Sequence, residues 1–254
     1  MAIASLPTFL SSVTVDPLTL AKGLLQLSGV QVSIHGRERL PGPRPLILVS
    51  NHRSVLDALL LMQILDRPVR FACHHYMGQV PGLREVIATL GCLPLDAPNQ
   101  GQTRFFRQAL QVLKRGEAVG IFPEGATPMV QGTVPHQLSQ FHRGFAHLAL
   151  RAPVEEVWIV PIAIASGRET QNALMPLRLF SLFDTTEPLF QQPGWHSAVF
   201  YQEVSLRVGH PIRVDGRLRS HYRARGAATL VADLTNCCQE EIANLLSRGP
   251  ISAP

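Results

Sequence analysis

The chain has 254 residues, 46% of them apolar and only 16% charged, with a formal net charge of +5; that length can bury one full α/β core. No uninterrupted apolar run reaches the roughly 18 residues that a membrane-spanning helix needs, which excludes a chain organised around such spans. Low charge with a positive mean hydropathy of +0.12 fits an extensive interior or a surface that meets lipid.

The stretch from Met1 to Pro7 has no basic residues, so a secretory signal is not expected. Within residues 1–28, Pro7 and Pro17 divide the apolar positions into two short segments. The second starts with proline at a favourable helical position, and Leu18, Leu20, Leu24, Leu25 and Leu27 wrap much of its circumference. Such a helix can pack on a domain or lie in a lipid interface. Residues 30–34 alternate apolar and polar, the pattern of a half-buried strand. Pro41 to Pro45 then form a rigid turn into the apolar run 45–49, a buried strand.

Ser50-Asn51-His52-Arg53-Ser54-Val55-Leu56-Asp57 follows as a polar turn, and the apolar residues after Asp57 read as a helix. A histidine between strand and helix stands at the edge of a sheet, where catalytic groups are common. Five residues of ideal helix turn through about 140°, so His52 and Asp57 meet only if His52 lies just before the helix. Asp57 can then hold one imidazole nitrogen and leave the other basic. The competing reading is that Asn51 or Ser54 caps the helix and His52 is an ordinary polar residue.

Residues 69–73 form a third strand that ends in His74 and His75; with no partner at helical spacing and no carboxylates nearby, this pair is not read as a metal site. Residues 91–96 are short and extended. Over Thr103 to Arg115 the spacing predicts an amphipathic helix with Phe106, Ala109, Leu110 and Leu113 inward, closed by Gly116. The strand over 118–122 is broken by Pro123 and Gly125, which leaves Glu124 at its tip. Another helix over 140–152 turns Phe141, Phe145, Leu148 and Ala149 inward, with His142 and Arg143 at its start.

The run 157–165, the longest apolar stretch, contains Pro161 and reads as a core strand. Between 166 and 198, Phe180, Phe183, Phe190 and Trp195 are scattered among prolines and polar residues, with no assignable element. Strand patterning returns over 199–209. Residues 211–225 carry Arg213, Arg217, Arg219, Arg223 and Arg225 against Asp215, which suits an anionic membrane surface, nucleic acid or a solvated loop. No nucleic-acid motif accompanies them, so membrane is the expected partner. A terminal helix over 227–246 presents Leu230, Val231, Leu234, Cys238, Ile242 and Leu245 on one side. Cys73, Cys92, Cys237 and Cys238 lack C-x-x-C spacing, and Cys237 and Cys238 are expected to be small core residues in a reducing compartment.

The blocks Asn51-His52-x-Ser54-x-x-Asp57, Phe122-Pro123-Glu124-Gly125 and Val160-Pro161-Ile162 resemble, in content and order, those of the glycerophospholipid acyltransferase superfamily of the 1-acylglycerol-3-phosphate acyltransferase type. The resemblance covers residues 48–165. It implies a single α/β domain over 29–254, a mixed β-sheet flanked by helices, with residues 1–28 as an amino-terminal helical segment that docks on a membrane. The implied activity moves a fatty acyl group from an acyl-CoA or acyl-carrier-protein thioester to the hydroxyl of a glycerolipid or lysophospholipid. His52 would be the general base and Asp57 its orienter, with no acyl-enzyme, metal or cofactor needed. Asn51, Ser54, Glu124 and Gly125 would bind substrate, and Pro161 would shape the groove for the acyl donor. Backbone N–H groups of the 51–54 turn and of the helix amino terminus would serve the oxyanion. The segment 166–198 would cover an acyl chain, touch lipid or pack on the domain rim. The expected place is cytoplasmic and peripheral to membrane.

Phosphate-binding members usually carry basic residues where this chain has His74, Ala97 and Thr127. Arg104 or Arg143, the latter part of a basic-Gly pair like one in the family, are the candidate replacements, together with an arginine of the basic cluster. The alternative function is a non-catalytic lipid- or acyl-binding protein with the same fold. Sheet order and oligomeric state stay open at this level.

Overall fold

A computed structural model describes residues 16–78, 82–96, 101, 103–125, 128, 134–176, 179, 191, 195–223 and 226–248. The first described element, α1 (Pro17–Ser28), is set by its ends: the Asp16 carboxylate accepts the Thr19 N–H at 2.9 Å, Pro17 opens the first turn, and Gly29 closes the helix in the left-handed region. It packs through Ala21 and Leu25 against α2 (Asp57–Leu65), and Lys22 pairs with Asp66 beyond α2 at 2.6 Å; Leu27 remains exposed. Residues 1–15, the rest of the expected membrane-docking segment, lie outside the described residues.

The strands are β1 (Gln31–His35), β2 (Leu46–Ser50), β3 (Val69–Cys73), β4 (Leu93–Pro94), β5 (Ala118–Ile121), β6 (Val157–Pro176), β7 (Trp195–Val208) and β8 (Ile212–Val214). Among the described residues they form one mixed sheet in the order β1-β7-β6-β2-β5-β3-β4, with β8 also on β6. The strands β6-β2-β5-β3-β4 run parallel, whereas β7 and β8 run antiparallel to β6. Helices cover both faces, so β2 is buried at every position rather than alternating. Ile47 and Val49 face the layer of α4 (Thr103–Lys114, which follows the short α3, Leu83–Thr89), α5 (Gly144–Arg151) and α7 (Ala227–Ser247), while Leu46 and Leu48 face α1 and α2.

Several expectations need adjustment. In α4 the expected Ala109 and Leu113 are buried and Phe106 and Leu110 pack half-buried on the same core, but the fully buried face also takes in Phe105 and Val112. Helix α5 starts at Gly144, because residues 139–143 instead lie against the turn after β5. The basic run is partly internal. Arg219, on α6 (Gly216–Arg223), is buried and donates to the carbonyls of Val154, Glu155 and Val214; Arg213 pairs with Glu156 at 2.7 Å. Arg225 lies outside the described residues. Of the adjacent cysteines, Cys238 is in the core but Cys237 is exposed.

The largest revision concerns residues 166–198. Strand β6 continues to Pro176 and β7 begins at Trp195, forming a long antiparallel pair from Ile162↔Val208 to Pro176↔Trp195. Register shifts between Ser166 and Arg168, between Arg168 and Glu169, and between Ala173 and Met175 break the two-residue alternation by which a strand is read. Phe180, Phe183 and Phe190 lie outside the described residues.

Candidate active site

Parallel neighbours bring the motif blocks together. Val49 of β2 lies beside Ile121 of β5 and Pro161 of β6, so the turns that follow β2 and β5 emerge side by side at the carboxyl edge of the sheet. That edge is where open α/β sheets hold their ligands. The three quoted blocks, with His52 and Glu124 72 residues apart in the chain, meet because their strands are adjacent.

His52 precedes α2, as the spacing required. Its Nδ1 is 2.9 Å from Asp57 Oδ2, and 19% of its side chain is exposed while that of Asp57 is fully buried. The imidazole stacks on Phe122 with centroids 4.1 Å apart, and Phe122 in turn stacks on Phe71 at 5.4 Å. Gly120 permits this: a Cβ there would sit 2.1 Å from the Phe71 ring. With Nδ1 facing Asp57, Nε2 is the nitrogen left for chemistry.

Asp57 also accepts the N–H groups of Arg53 (2.7 Å) and Ser54 (2.8 Å) on Oδ2, and the Tyr201 hydroxyl on Oδ1 (2.9 Å). One carboxylate therefore winds the turn and holds the ring. Neither Asn51 nor Ser54 caps α2; its N-cap position is Leu56, without a side-chain bond. The Ser54 hydroxyl donates to Val199 O at 2.7 Å, and the Asn51 amide exchanges two hydrogen bonds with Ile164, Nδ2 to O at 2.9 Å and N to Oδ1 at 2.8 Å. Both side chains are buried and engaged with backbone. Asn51→Leu is expected to lower stability by about 1–3 kcal/mol by stranding the Ile164 polar groups, measurable as a fall in the urea midpoint with an unchanged slope.

Glu124 is buried, and its Oε1 accepts the His52 N–H at 3.1 Å while Oε2 accepts the Ser139 N–H at 2.6 Å. Burial pushes its carboxyl above the usual glutamate range, against the lowering effect of those donors. Of the backbone donors expected to serve an oxyanion, the N–H groups of His52, Arg53 and Ser54 are directed to carboxylates of the protein itself. Asp57, three and four residues further along the chain, takes those of Ser54 and Arg53, and Glu124, 72 residues away, takes that of His52.

Gly125 adopts φ 68°, a left-handed conformation that suits glycine, and lies beside the His142 imidazole. The His142 N–H donates to Pro123 O at 2.8 Å, which brings exposed Arg143 alongside the Glu124 turn. A shallow pocket of about 290 Å³ is lined by Gln140, Phe141, His142 and Arg143. Arg104 is exposed on the first turn of α4, where Asp96 accepts its N–H at 2.9 Å; no described contact brings it to His52 or Glu124. Pro161 is buried in β6, with its ring against Gly209. His74 stacks on His75, 4.5 Å between centroids, and Ala97 and Thr127 lie outside the described residues.

Neither Tyr201 nor the half-buried ion pair in which Arg53 Nη1 and Nη2 meet Glu169 at 2.6 and 2.8 Å is signalled by any motif or spacing. Both contacts come from the β6–β7 pair, whose strands were only partly legible. Among the described residues no group of three or more His, Cys, Asp and Glu is arranged to hold a metal, and no helix is long and apolar enough to cross a membrane.

Comparison with known proteins gives this arrangement a family. Residues 31–165 match the Acyltransferase family model. The chain is 32% identical over 194 residues to 1-acyl-sn-glycerol-3-phosphate acyltransferase alpha of Mus musculus, covering 75% of this chain and 58% of that protein. It is 28% identical over 194 residues to a 1-acyl-sn-glycerol-3-phosphate acyltransferase of Chlamydomonas reinhardtii, covering 66% of this chain and 56% of that one. The chain thus spans about half the length of the curated relatives it matches. In fold it is similar to the crystal structure of the 1-acyl-sn-glycerophosphate (LPA) acyltransferase PlsC from Thermotoga maritima, with TM-score 0.55 and 18% identity over 91% of this chain and 79% of that chain. The matched segment contains the His52 turn, the Glu124 turn and the Pro161 strand that the sheet sets side by side, and the chain belongs to the Acyltransferase family.

Proposed function

We propose that this protein is a membrane-peripheral O-acyltransferase, moving a fatty acyl group from an acyl-CoA or acyl-carrier-protein thioester to a hydroxyl of a glycerolipid or lysophospholipid. The observation that carries the reading is the 2.9 Å contact between His52 Nδ1 and buried Asp57, made by a ring that remains partly exposed. Neutral His52 takes the acceptor's hydroxyl proton at Nε2 as that oxygen attacks the thioester carbonyl. The tetrahedral intermediate then expels the thiolate, which recovers the proton from the imidazolium. Asp57 pairs with the imidazolium while it lasts, and no protein nucleophile takes part. Glu124 supports the reaction through the backbone of His52. Residues 1–28, whose described helix leaves Leu27 exposed, would help the enzyme meet its lipid.

The relatives' names point to a 1-acylglycerol-3-phosphate acceptor, yet the basic positions usual for a phosphate are replaced at His74, Ala97 and Thr127. Of the candidate substitutes, Arg104, Arg143 and an arginine of the basic cluster, Arg143 is favoured because it adjoins the Glu124–Gly125 turn. An acceptor panel of lysophosphatidate, neutral lysoglycerolipids and other lipid alcohols, with products read by mass spectrometry, tests the function. Arg143→Ala is expected to raise KM for lysophosphatidate about 10–100-fold, the effect of losing one charge-assisted hydrogen bond, and Arg104→Ala to leave it unchanged. Undiminished lysophosphatidate turnover by the Arg143 variant would show that the phosphate is held elsewhere. Failure of every acceptor and thioester would return the protein to the lipid-binding alternative.

A further inference from the structure

Tyr201 and Glu169 face each other across the β6–β7 pair, and both side chains reach the turn that carries His52. Glu169 holds the Arg53 guanidinium through both of its terminal nitrogens, and the Ser54 hydroxyl is bonded to Val199 O two residues from Tyr201. The β6–β7 pair thereby holds Arg53, Ser54 and Asp57. Tyr201 is 4% exposed, and its hydroxyl donates to Asp57 Oδ1 at 2.9 Å. The two oxygens of Asp57 divide their tasks: Oδ2 takes the His52 ring and the turn's N–H groups, and Oδ1 takes Tyr201. Simple filling of this space would need no hydroxyl.

We propose that Tyr201 is a positioning residue for acyl transfer, its phenol fixing Asp57 Oδ1 so that Oδ2 is aimed at His52 Nδ1. The inference rests on the acyl-transfer reading above. Two effects follow from one hydrogen bond. The carboxylate plane is held against rotation, because a buried carboxylate with an empty oxygen would turn to share its remaining donors. Part of its charge is also drawn toward the phenol, which tempers how strongly Asp57 retains a proton on His52. His52, whose titration sets the limb, is faced by the carboxylates of Asp57 and Glu124, and the groups around the phenol are Asp57, Arg53 and Glu169; burial first, then the Asp57 charge, hold the phenol's pKa well above the usual tyrosine range, which keeps it a donor.

The test is Tyr201→Phe, which keeps the ring and removes the hydroxyl. Its kcat is expected to fall about tenfold or more, as for a lost hydrogen bond to a charged group, with acceptor KM little changed. The acid limb of kcat/KM should move to higher pH, because the untempered carboxylate holds the His52 proton more tightly. Site-specific 3-fluorotyrosine at position 201, a stronger donor that keeps the hydroxyl, should move the limb to lower pH; it also serves if the phenylalanine variant folds poorly. The His52 imidazole resonance, assigned by its loss in His52→Ala, should titrate with the same opposite shifts whether or not turnover is detected. Unchanged kcat and an unmoved His52 titration in both variants would overturn the proposal, as would an undiminished Tyr201→Phe effect in an Asp57→Asn background. If no thioester is consumed by the native protein but the titration still shifts, the acyl-transfer reading fails and the Tyr201–Asp57–His52 coupling survives it.

Discussion

His52→Ala is expected to lower kcat for acyl transfer about 10²- to 10⁴-fold, the range for deleting a positioned general base, with thioester and acceptor KM nearly unchanged. The protein should nevertheless fold. The ring is partly exposed, and the turn around it is wound by backbone N–H groups bonded to Asp57 and Glu124, which alanine leaves in place. Steady-state acyl transfer with a thermal melt of the same preparation checks both halves. A variant that keeps native kcat would remove His52 from the chemistry, whatever the site's geometry.

Asp57→Asn is expected to cost about 10³- to 10⁴-fold in kcat, comparable with misorienting the histidine of other carboxylate-supported bases, and to lower stability as well. Asp57 is fully buried, and every donor around it points at an oxygen. An amide would turn NH₂ toward one set of donors, stranding either the Tyr201 hydroxyl or the N–H groups of Arg53 and Ser54, at about 1–3 kcal/mol for a buried unsatisfied group. The two substitutions therefore differ in kind: one removes the base, the other removes the base's support and the turn's. Equal melting temperatures for native and Asp57→Asn protein would show that the carboxylate is not what winds the turn.

Arg53 and Glu169 show why part of the site escaped sequence reading. Each is an unremarked charged residue in a polar stretch, 116 positions apart, and only the β6–β7 pair closes that distance. Glu124 was singled out by its block, but its carboxylate proves to hold the backbone of His52 and Ser139, a role that no spacing encodes. Arg104 and Arg143 looked equivalent as replacement cations; the contact of His142 with Pro123 separates them.

What the sequence determined by itself was local: the buried strand 46–50, a histidine just before a helix that starts at Asp57, the Pro123–Gly125 break, the face of the terminal helix, and a family resemblance carried by short blocks. Those features follow from periodicity, turn chemistry and residue type, which act over a few positions. Tertiary structure alone decided which donors surround Asp57, where the turn's N–H groups point, and which arginine stands beside the glutamate turn. Such contacts depend on strand order and on register shifts in an antiparallel strand pair, and a hydrogen bond spanning 144 residues leaves no periodic trace in the chain that forms it.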